Sequence, residues 1–589
     1  MNTRASAIAA ARLKPSAWSR PAEPVLTWRA TQTRSKVVLG LLMLGFLAVI
    51  VRSFVLQLVN ADHWQGLAER RFERPKEIPA VRGRVLDRHG EVIATSVREE
   101  HLGVVPNRID LNSPKINELA SLLGKTPAEL RAQVKKSKGF FWLARGLDLA
   151  QADRIRALRI QGLEFESDYR RYYPFGASFA HVVGFTNAEE QGAEGLELVH
   201  DVQLRATPGR ARVVVDRRNQ PVSQREIAEA LPGRDLQLSL DAGIQAIVHS
   251  ALMAAMQEHR PKAAAAVVID PQTGEVLAMA NQPAFDPNNR RGLNPDTVRN
   301  RVVTDAFEPG STMKAFSIAV ALELGKVTPE TRFQTDPGKI TIGRRTIGDK
   351  KPLGLLTVSE ILARSSNVGT VKIAEKVSSQ EMHDFYTAAG FGRVPEVGLK
   401  GATAGRLRNP QRWVPIEHAT ISYGHGVSVS LLQLARAYTV FARDGDIVPL
   451  SFVPQPGPMA GVPVFSVETA RAMRRMLQQA AAPGGTAPKA QVEGFKVAGK
   501  TGTAHKPSQG GYAKDRYVAS FVGFAPADRP RFVIAVMVDE PSAGKHYGGE
   551  VAAPVFARIA NDTLRRMQLS PDPALRILPA IAMIDEGTE

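Results

Sequence analysis

The chain contains no cysteine among its 589 residues, which excludes disulfide bonds and thiol chemistry but leaves the compartment open. Its net charge of +18 comes without zinc-finger spacing, an RNA-binding aromatic string or a stripe of basic and aromatic residues, so we expect no nucleic-acid partner. Four histidines, His418, His425, His505 and His546, occur in no HExxH or similar spacing. We therefore expect surface or supporting histidines, and we predict neither a metal nor a cofactor.

Charge is also absent from Val37 to Val51, and after Arg52 the apolar composition continues to Val59. A helix over residues 37–59 would be about 34 Å long, enough for a bilayer core of about 30 Å, and Arg52 could reach the interface. No small-x-small cleavage site follows, which favours an uncleaved anchor over a signal peptide. The basic leader, residues 1–36, would then stay cytoplasmic, with the bulk of the chain outside.

The length of the chain is too great for one domain, and its hydrophobic content of 44% is enough for real cores. Residues 60–230 mix short strand and helix signals, including a hairpin with its turn at Asp87–Gly90, and carry no catalytic constellation. A polar stretch that ends in Leu-Pro-Gly-Arg at residues 231–234 marks a boundary. We predict a second domain over residues 231–567 and a loosely ordered tail over residues 568–589.

The second domain has an α+β pattern. A helix begins near Ala242, and another, from about Pro554 to Met567, would cover a sheet. Two hairpins and one further strand predict a five-stranded antiparallel sheet with helices packed on its faces. The predicted strands are Ala263–Ile269, Glu275–Ala280, Phe495–Ala504, Tyr517–Ala525 and Arg531–Asp539.

Ser311 and Lys314 form the first of three short motifs. A turn at residues 307–310 leads into the apolar run Ala315–Leu322, which predicts a buried helix that ends at Gly325. Ser311 would lie at the helix N-terminus, where developing negative charge is favoured, with Lys314 one turn later on the same face. A buried lysine with a lowered pKa can activate a serine as a base. A serine cap with a solvated lysine is the alternative that the motif alone would favour.

The second motif, Ser365-Ser366-Asn367, follows a helix that opens with a capping box at Thr357 and Glu360, so it lies on a connection between helices. Its predicted roles are a proton relay through Ser365 and a side-chain amide, from Asn367, that accepts from a lysine and donates to substrate. A polar turn that only satisfies helix ends is the favoured interpretation of this tripeptide by itself.

The third motif runs from Lys500 to Thr503, within a strand whose glycines predict close approach of another molecule's backbone. Lys500 can supply positive charge, while Thr501 and Thr503 can hydrogen-bond a substrate carboxylate. The backbone N–H of Thr503 could form an oxyanion hole with that of Ser311. An edge strand with an exposed lysine is the structural alternative.

In this order and setting the three motifs are those of penicillin-binding proteins and class A β-lactamases. Over residues 37–565 the chain resembles class B penicillin-binding proteins, and more closely the FtsI family of division-specific peptidoglycan transpeptidases. It departs from the expected pattern at Ser366, where β-lactamases have aspartate, and at His425, where an aromatic residue is expected. The resemblance also rests on Arg82–Gly90, Arg170–Pro174, Ala180–Thr186, Thr273–Met279, and Arg299–Arg301 leading to Phe307–Gly310.

The resemblance implies a single transmembrane helix, a mixed α/β pedestal of the dimerisation type and a penicillin-binding transpeptidase domain in the periplasm of a bacterial inner-membrane protein. The implied substrates are peptidoglycan stem peptides and, as acylating inhibitors, β-lactam antibiotics. No glycosyltransferase domain is recognisable before residue 230. A membrane glycosyltransferase of the FtsW type and other division proteins are therefore the implied partners.

The implied reaction is an acyl transfer from a D-Ala-D-Ala end to an amine of a neighbouring stem. The catalytic residues would be Ser311, Lys314, Ser365, Asn367 and Lys500, with the substrate carboxylate bound by Thr501, Gly502 and Thr503. A β-lactamase or D,D-carboxypeptidase would use the same motifs with water as acceptor, and an elongation-specific class B transpeptidase would share all three. A catalytically idle envelope scaffold is the alternative of another class.

Overall fold

The structure, a computed structural model, describes residues 28–59, 73–216, 221–508 and 511–575. It divides into two compact units, of which the first combines residues 1–77 with 210–228 and the second contains the rest of the chain. Most of the basic leader, residues 1–27, and the end of the tail, residues 576–589, lie outside the described residues, so the predictions made for them stay predictions.

The smaller unit contains the anchor helix, Trp28–Phe54, which a π-helical turn over Val55–Val59 continues. Within the described residues it is the one helix long and apolar enough to cross a membrane, over Gln32–Val59. The helix begins earlier than the predicted Val37 because the preceding polar residues include no proline or glycine to stop it. The unit also contains a three-stranded sheet in the order Glu73–Ile78, Gly209–Val215 and Pro221–Ala228.

The predicted hairpin in the first part of the larger unit is confirmed. Its strands, Val85–Leu86 and Val92–Val104, pair antiparallel, and the Asp87 carboxylate accepts from the backbone N–H groups of His89 and Glu91. Leu236–Gln237, assigned from sequence to the second domain, instead extends this sheet as a parallel neighbour of Val85–Leu86. Strands Phe141–Leu147 and Leu163–Tyr172 complete the sheet, and helices Lys115–Leu122, Pro127–Lys136 and Leu149–Ala157 enclose a small core against it.

A buried ion network lies beside this hairpin. Arg82, 1% exposed, bonds the carboxylates of Glu197 and Asp201, and Arg171 bonds the second oxygen of Glu197. Paired charges of this kind leave an uncompensated charge if one partner is removed. The network thereby fixes the short helices Gly195–Val199 and Asp201–Leu204 beside the hairpin, and a third short helix, Ala180–Val183, packs with them in the hydrophobic core.

The predicted five-stranded antiparallel sheet is also confirmed. The inner strands Ala263–Ile269 and Phe532–Asp539 and the edge strand Val276–Gln282 are buried along their whole length, which is why their sequences are largely continuous apolar runs rather than alternating ones. Alternate residues pack on helices Ala242–His259 and Gly548–Arg566 on one face, and on the helices around Lys314–Glu323 on the other. The strand order is Val276–Gln282, Ala263–Ile269, Phe532–Asp539, Gly511–Ala525 and Ala498–Ser508.

The remaining elements surround this sheet. Three short strand pairs are Arg332–Gln334 with Leu355–Thr357, Lys339–Ile342 with Arg345–Gly348, and Asp446–Ile447 with Val462–Pro463. The remaining α-helices are Pro295–Val298, Arg301–Thr304, Val358–Arg364, Asn367–Ala374, Ser379–Ala388, Pro415–Ser422, Leu431–Ala442 and Val467–Ala481.

The helix predicted from about Pro554 begins instead at Gly548, and we call Gly548–Arg566 the closing helix. Gly548 donates its backbone N–H to Thr503 Oγ1 at 3.0 Å, and a Cβ there would lie 2.4 Å from the carbonyl oxygens of Gly502 and Ser520. Because only glycine, which has no Cβ, fits so close to the strands, the helix can begin at Gly548, ahead of Pro554. The described start of the tail is held, with Asp572 donating its N–H to the Gly494 carbonyl.

Candidate active site

Ser311 lies in a single 3-10 turn, Gly310–Met313, that immediately precedes helix Lys314–Glu323, and we call these the nucleophile turn and the nucleophile helix after the role predicted for Ser311. The sequence places Ser311 at the N-terminus of the α-helix itself; the tighter turn displaces it by one turn. Gly310 has φ +55°, and a Cβ there would lie 3.2 Å from the carbonyl oxygen of Thr503. The turn that carries Ser311 therefore rests directly against the third motif.

Lys314 is completely buried and directs its amine towards the second motif. Its Nζ donates to Ser365 O at 2.6 Å, to Asn367 Oδ1 at 2.7 Å and to Ser365 Oγ at 3.2 Å. In the part of the chain described here, none of its hydrogen bonds goes to Ser311 Oγ. Burial lowers the pKa of Lys314 well below its ordinary value, the nearby Lys500 charge lowers it further, and Asp349 opposes both. A lysine acts as a base only in its neutral form, and a lowered pKa makes that form more accessible.

The backbone of the second motif explains how Ser365 reaches this amine. The capping box of Thr357 and Glu360 opens helix Val358–Arg364 as predicted, and the helix ends at Ser365 with φ +59°, in the left-handed region. Ser366 then caps the next helix by accepting from Gly369 N–H at 2.9 Å. This sharp turn places Ser365 Oγ between two lysine amines, 3.2 Å from Lys314 and 3.0 Å from Lys500.

Lys500 is the second completely buried lysine. Its Nζ lies near Ser365 Oγ, Thr501 Oγ1 and Thr486 Oγ1 at 3.0, 3.3 and 3.4 Å, and burial lowers its pKa to about 7. The group predicted to supply positive charge is therefore one whose pKa burial has lowered. A carboxylate bound beside it would raise the pKa again, because opposite charges favour the protonated amine.

The third motif lies on the edge strand, Ala498–Ser508, which extends beyond the predicted Ala504 because it pairs with Gly511–Ala525 out to Ser508. Thr501 and Thr503 line the cleft. Gly502, predicted to allow the close approach of another molecule's backbone, also allows a close approach within the chain. A Cβ at this position would lie 2.3 Å from Ser520 Oγ and 2.6 Å from Pro309 O, so the glycine admits the chain's own nucleophile turn.

Asp349 is a member of the site that the sequence analysis missed. Its carboxylate accepts from Ser366 Oγ at 2.6 Å, from Val368 N–H at 3.2 Å and from the Asn367 backbone N–H. Asn367 Nδ2 donates to Gly348 O at 2.9 Å, so one of its amide hydrogens is already used within the protein. No spacing rule indicates a residue so far before the motif, because only the tertiary fold brings the end of strand Arg345–Gly348 to the second motif.

Three of the four histidines lie at the cleft. His425 is in the predicted turn and pairs through Nδ1 with Glu308, 3.2 Å away, which also accepts from Tyr512 OH at 3.0 Å. His505 and His546 pack on either side of Tyr517, with ring centroids 4.4 and 4.1 Å away. His418 instead lies outside the cleft, bonded to Ser379 and Ala374. In the described ranges no three His, Asp or Glu side chains are grouped to hold a metal ion.

The cleft that these motifs enclose has a volume of about 730 Å³. Ser311, Ser365 and Asn367 lie in its wall with Thr501 and Thr503, and the aromatic side chains of Tyr423, Tyr517 and Tyr547 line it further. Its charged lining is mainly cationic: Lys350, Lys351, Arg364 and Lys489 against Asp349 and Glu550. A serine hydroxyl just before a helix, a buried lysine amine of lowered pKa, a second serine hydroxyl and a strand that carries two threonine hydroxyls thus meet in one groove, and these are the groups that serine acyl transfer requires.

Comparisons with known proteins follow the same division of the chain. The family described as "Penicillin-binding Protein dimerisation domain" matches residues 77–238, and the "Penicillin binding protein transpeptidase domain" matches residues 264–561. The probable peptidoglycan D,D-transpeptidase PenA of Neisseria gonorrhoeae is 40% identical over 91% of this chain and 93% of its own. The peptidoglycan D,D-transpeptidase FtsI of Escherichia coli is 36% identical over 92% of each chain.

Solved structures are similar as well. The transpeptidase domain of penicillin-binding protein 3 from Burkholderia pseudomallei is 47% identical, covers 57% of this chain and 97% of its own, and superposes with a TM-score of 0.53. Penicillin-binding protein 3 of Mycobacterium tuberculosis in complex with aztreonam is 29% identical, covers 85% of this chain and 99% of its own, and has a TM-score of 0.65.

Replacement of Lys314 by alanine should slow the acylation of Ser311 by benzylpenicillin by about 10²–10⁴-fold, the usual effect of losing a positioned base. In the wild type, the rate should fall as pH decreases and Lys314 gains a proton, with the midpoint far below the ordinary pKa of lysine, 10.5. This acid limb should vanish in Lys314→Ala. Stopped-flow acylation between pH 5 and 9 tests both points, with exposed Lys326→Ala as control. A Lys314→Ala variant with the wild-type rate and pH profile contradicts the assignment.

Proposed function

The chain belongs to the class B penicillin-binding proteins and is a serine-type peptidoglycan D,D-transpeptidase of the FtsI and PenA type, and we propose that it cross-links stem peptides at the division septum. The observation that carries the proposed mechanism is the Ser365 hydroxyl, which lies 3.2 Å from Lys314 Nζ and 3.0 Å from Lys500 Nζ. A hydroxyl between two amines gives a proton a path from the nucleophile to a leaving group.

In the proposed acylation, Ser311 Oγ attacks the carbonyl carbon of the D-Ala-D-Ala bond while Lys314 takes its proton. Ser365 passes a proton to the amine of the leaving D-alanine, and an ester between Ser311 and the donor peptide remains. Asn367 supports this step by accepting from Lys314 Nζ at 2.7 Å, which orients the amine.

Charge is stabilised at two places in the proposed mechanism. The backbone N–H groups of Ser311 and Thr503 serve the oxyanion, an assignment supported by the packing of Gly310 against Thr503. The terminal carboxylate of the donor lies on the Thr501, Gly502 and Thr503 segment, beside the Lys500 amine. Binding there returns Lys500 to its protonated form, since an opposite charge raises a lysine pKa.

The acyl-enzyme is resolved by an amine of a neighbouring stem peptide. Enzymes that use water instead, β-lactamases and D,D-carboxypeptidases, require no pedestal of the kind matched at residues 77–238, and this favours work on a polymer. A catalytically idle scaffold is disfavoured because Ser311, Lys314, Asn367 and Lys500 all lie around one cleft.

Intact-protein mass spectrometry after exposure to benzylpenicillin should reveal one stable penicilloyl adduct, mapped by peptide digestion to Ser311. Ser311→Ala should remove the adduct, whereas Ser317→Ala, on the nucleophile helix but bonded to Tyr386 inside the core, should keep it. An adduct at full yield in Ser311→Ala would show that Ser311 is not the nucleophile. Rapid release of hydrolysed penicillin would instead identify an enzyme that uses water.

The anchor helix is proposed to hold the protein in the bacterial inner membrane with its leader in the cytoplasm. The support is the excess of basic residues before the apolar span, which favours retention of that side. Protease added to spheroplasts should digest nearly all of residues 60–589, while protease added to intact cells should not. Protection of these residues in spheroplasts, with digestion only after lysis, contradicts the orientation.

Septal work is proposed over wall elongation because the full-length relatives include FtsI. The proposed partner is a membrane glycosyltransferase of the FtsW type, which would provide glycan strands for cross-linking. Depletion of the protein from a rod-shaped host should give filaments that continue to lengthen, and plasmid-borne wild type but not Ser311→Ala should restore division. Round, swelling cells that still divide would transfer the assignment to elongation and its RodA-type partner.

A further inference from the structure

One end of the catalytic cleft is lined by four cationic side chains, Lys350, Lys351, Arg364 and Lys489, which we call the cationic rim. Two carboxylates, Asp349 and Glu550, also line the cleft, and Asp349 already accepts hydrogen bonds from Ser366 Oγ and from the backbone of the following helix. The rim therefore keeps an excess of positive charge after the internal pairs are counted.

The rim surrounds the second motif and Lys500 rather than the opposite end of the cleft. Lys350 and Lys351 follow Asp349 directly, and Arg364 is the residue before Ser365. Lys489 lies in the 3-10 turn after Thr486, whose hydroxyl is 3.4 Å from Lys500 Nζ. Tyr423 and His425 belong to the other wall, which packs on the nucleophile turn through Gly424.

These cations are available to a ligand. Within the described residues neither Lys351 nor Lys489 takes part in an ion pair or a side-chain hydrogen bond. Lys350 lies 3.3 Å above the ring of Tyr547, a contact that orders the amine without neutralising it. Arg364 is 3.8 Å from Glu360, and both side chains are nearly half exposed, where such pairs are weak.

The position of the rim identifies which substrate it meets. Ser365 delivers a proton to the leaving amine, so the leaving group departs from the side of the cleft where Ser365 lies. Aminolysis reverses this geometry: the acceptor amine must occupy the place that the leaving amine vacated in order to return a proton along the same path. The body of the acceptor then extends over the rim.

We propose that the cationic rim is an acceptor subsite, selective for amines that carry a carboxylate in addition to the one beside the amine. This inference rests on the proposed transpeptidation. In the step itself, the acceptor nitrogen bonds to the ester carbonyl carbon and the bond from that carbon to Ser311 Oγ breaks. One amine proton passes through Ser365 and Lys314 to Ser311 Oγ, which restores the hydroxyl. An acceptor with an extra carboxylate is held by the rim while this exchange occurs.

The test uses the full chain in detergent micelles, a D-alanyl thioester donor, and two acceptors that differ by one charge, D-glutamate and D-glutamine. The ratio of their second-order aminolysis rate constants, measured within each protein, is independent of the fraction of active enzyme. The wild type should favour D-glutamate several-fold, and Lys350→Glu/Lys351→Glu should reduce the ratio by about tenfold, since reversing charges in a wet cleft acts at this scale. Lys350→Gln/Lys351→Gln should give an intermediate ratio.

The matched control is Lys135→Glu/Lys136→Glu, which reverses an adjacent, exposed pair of lysines on helix Pro127–Lys136, outside the cleft. Its ratio should equal that of the wild type, and high salt should reduce the wild-type preference by screening. A wild type without preference for D-glutamate, or a Lys350→Glu/Lys351→Glu variant that keeps it, overturns the acceptor subsite. A wild type that forms no aminolysis product with either acceptor instead refutes the proposed transpeptidation.

Discussion

The site depends on the burial of two lysine amines around one serine hydroxyl. Lys314 and Lys500 are both fully buried, and Ser365 Oγ lies within hydrogen-bond distance of each. Two protonated amines in such surroundings would repel each other and lack solvation, so burial lowers both pKa values. The carboxylate of Asp349, the carbonyl of Ser365 and the amide of Asn367 then determine where the remaining positive charge is tolerated.

That constraint explains the unusual backbone around the cleft. Ser365 takes a left-handed conformation to place its hydroxyl between the amines, a cost of about 1–3 kcal/mol that the adjoining helices must offset. Gly310 and Gly502 bring the nucleophile turn and the edge strand into direct contact, and Gly548 starts the closing helix on that strand. These close contacts pack the turn, the strand and the closing helix together, and the packed elements exclude water from the two amines.

The sequence predicts most of this fold because its strongest signals are local. Continuous apolar runs such as Ala263–Ile269 indicate buried strands, and the capping box at Thr357 fixes a helix start, so these predictions are confirmed. The predicted start of the closing helix was wrong, and Asp349 was not predicted, for the same physical reason. The closing helix starts where Gly548 contacts the edge strand, and Asp349 joins the site because its carboxylate accepts from the first backbone N–H groups of helix Asn367–Ala374. Neither contact between distant residues produces a periodic pattern in the sequence.

The two lysines also link the basicity of Lys314 to whether a substrate carboxylate is bound beside Lys500. In the free protein burial lowers the pKa of Lys500 to about 7. A carboxylate bound by Thr501 and Thr503, as proposed for the donor, would raise the pKa of Lys500 and favour its protonated form. That charge acts on Lys314, which Lys500 already shifts towards the neutral form. Asp349 opposes this shift from a fixed position, whereas a bound donor carboxylate would be the variable partner: its own charge would raise the pKa of Lys314, and the proton that it holds on Lys500 would lower it.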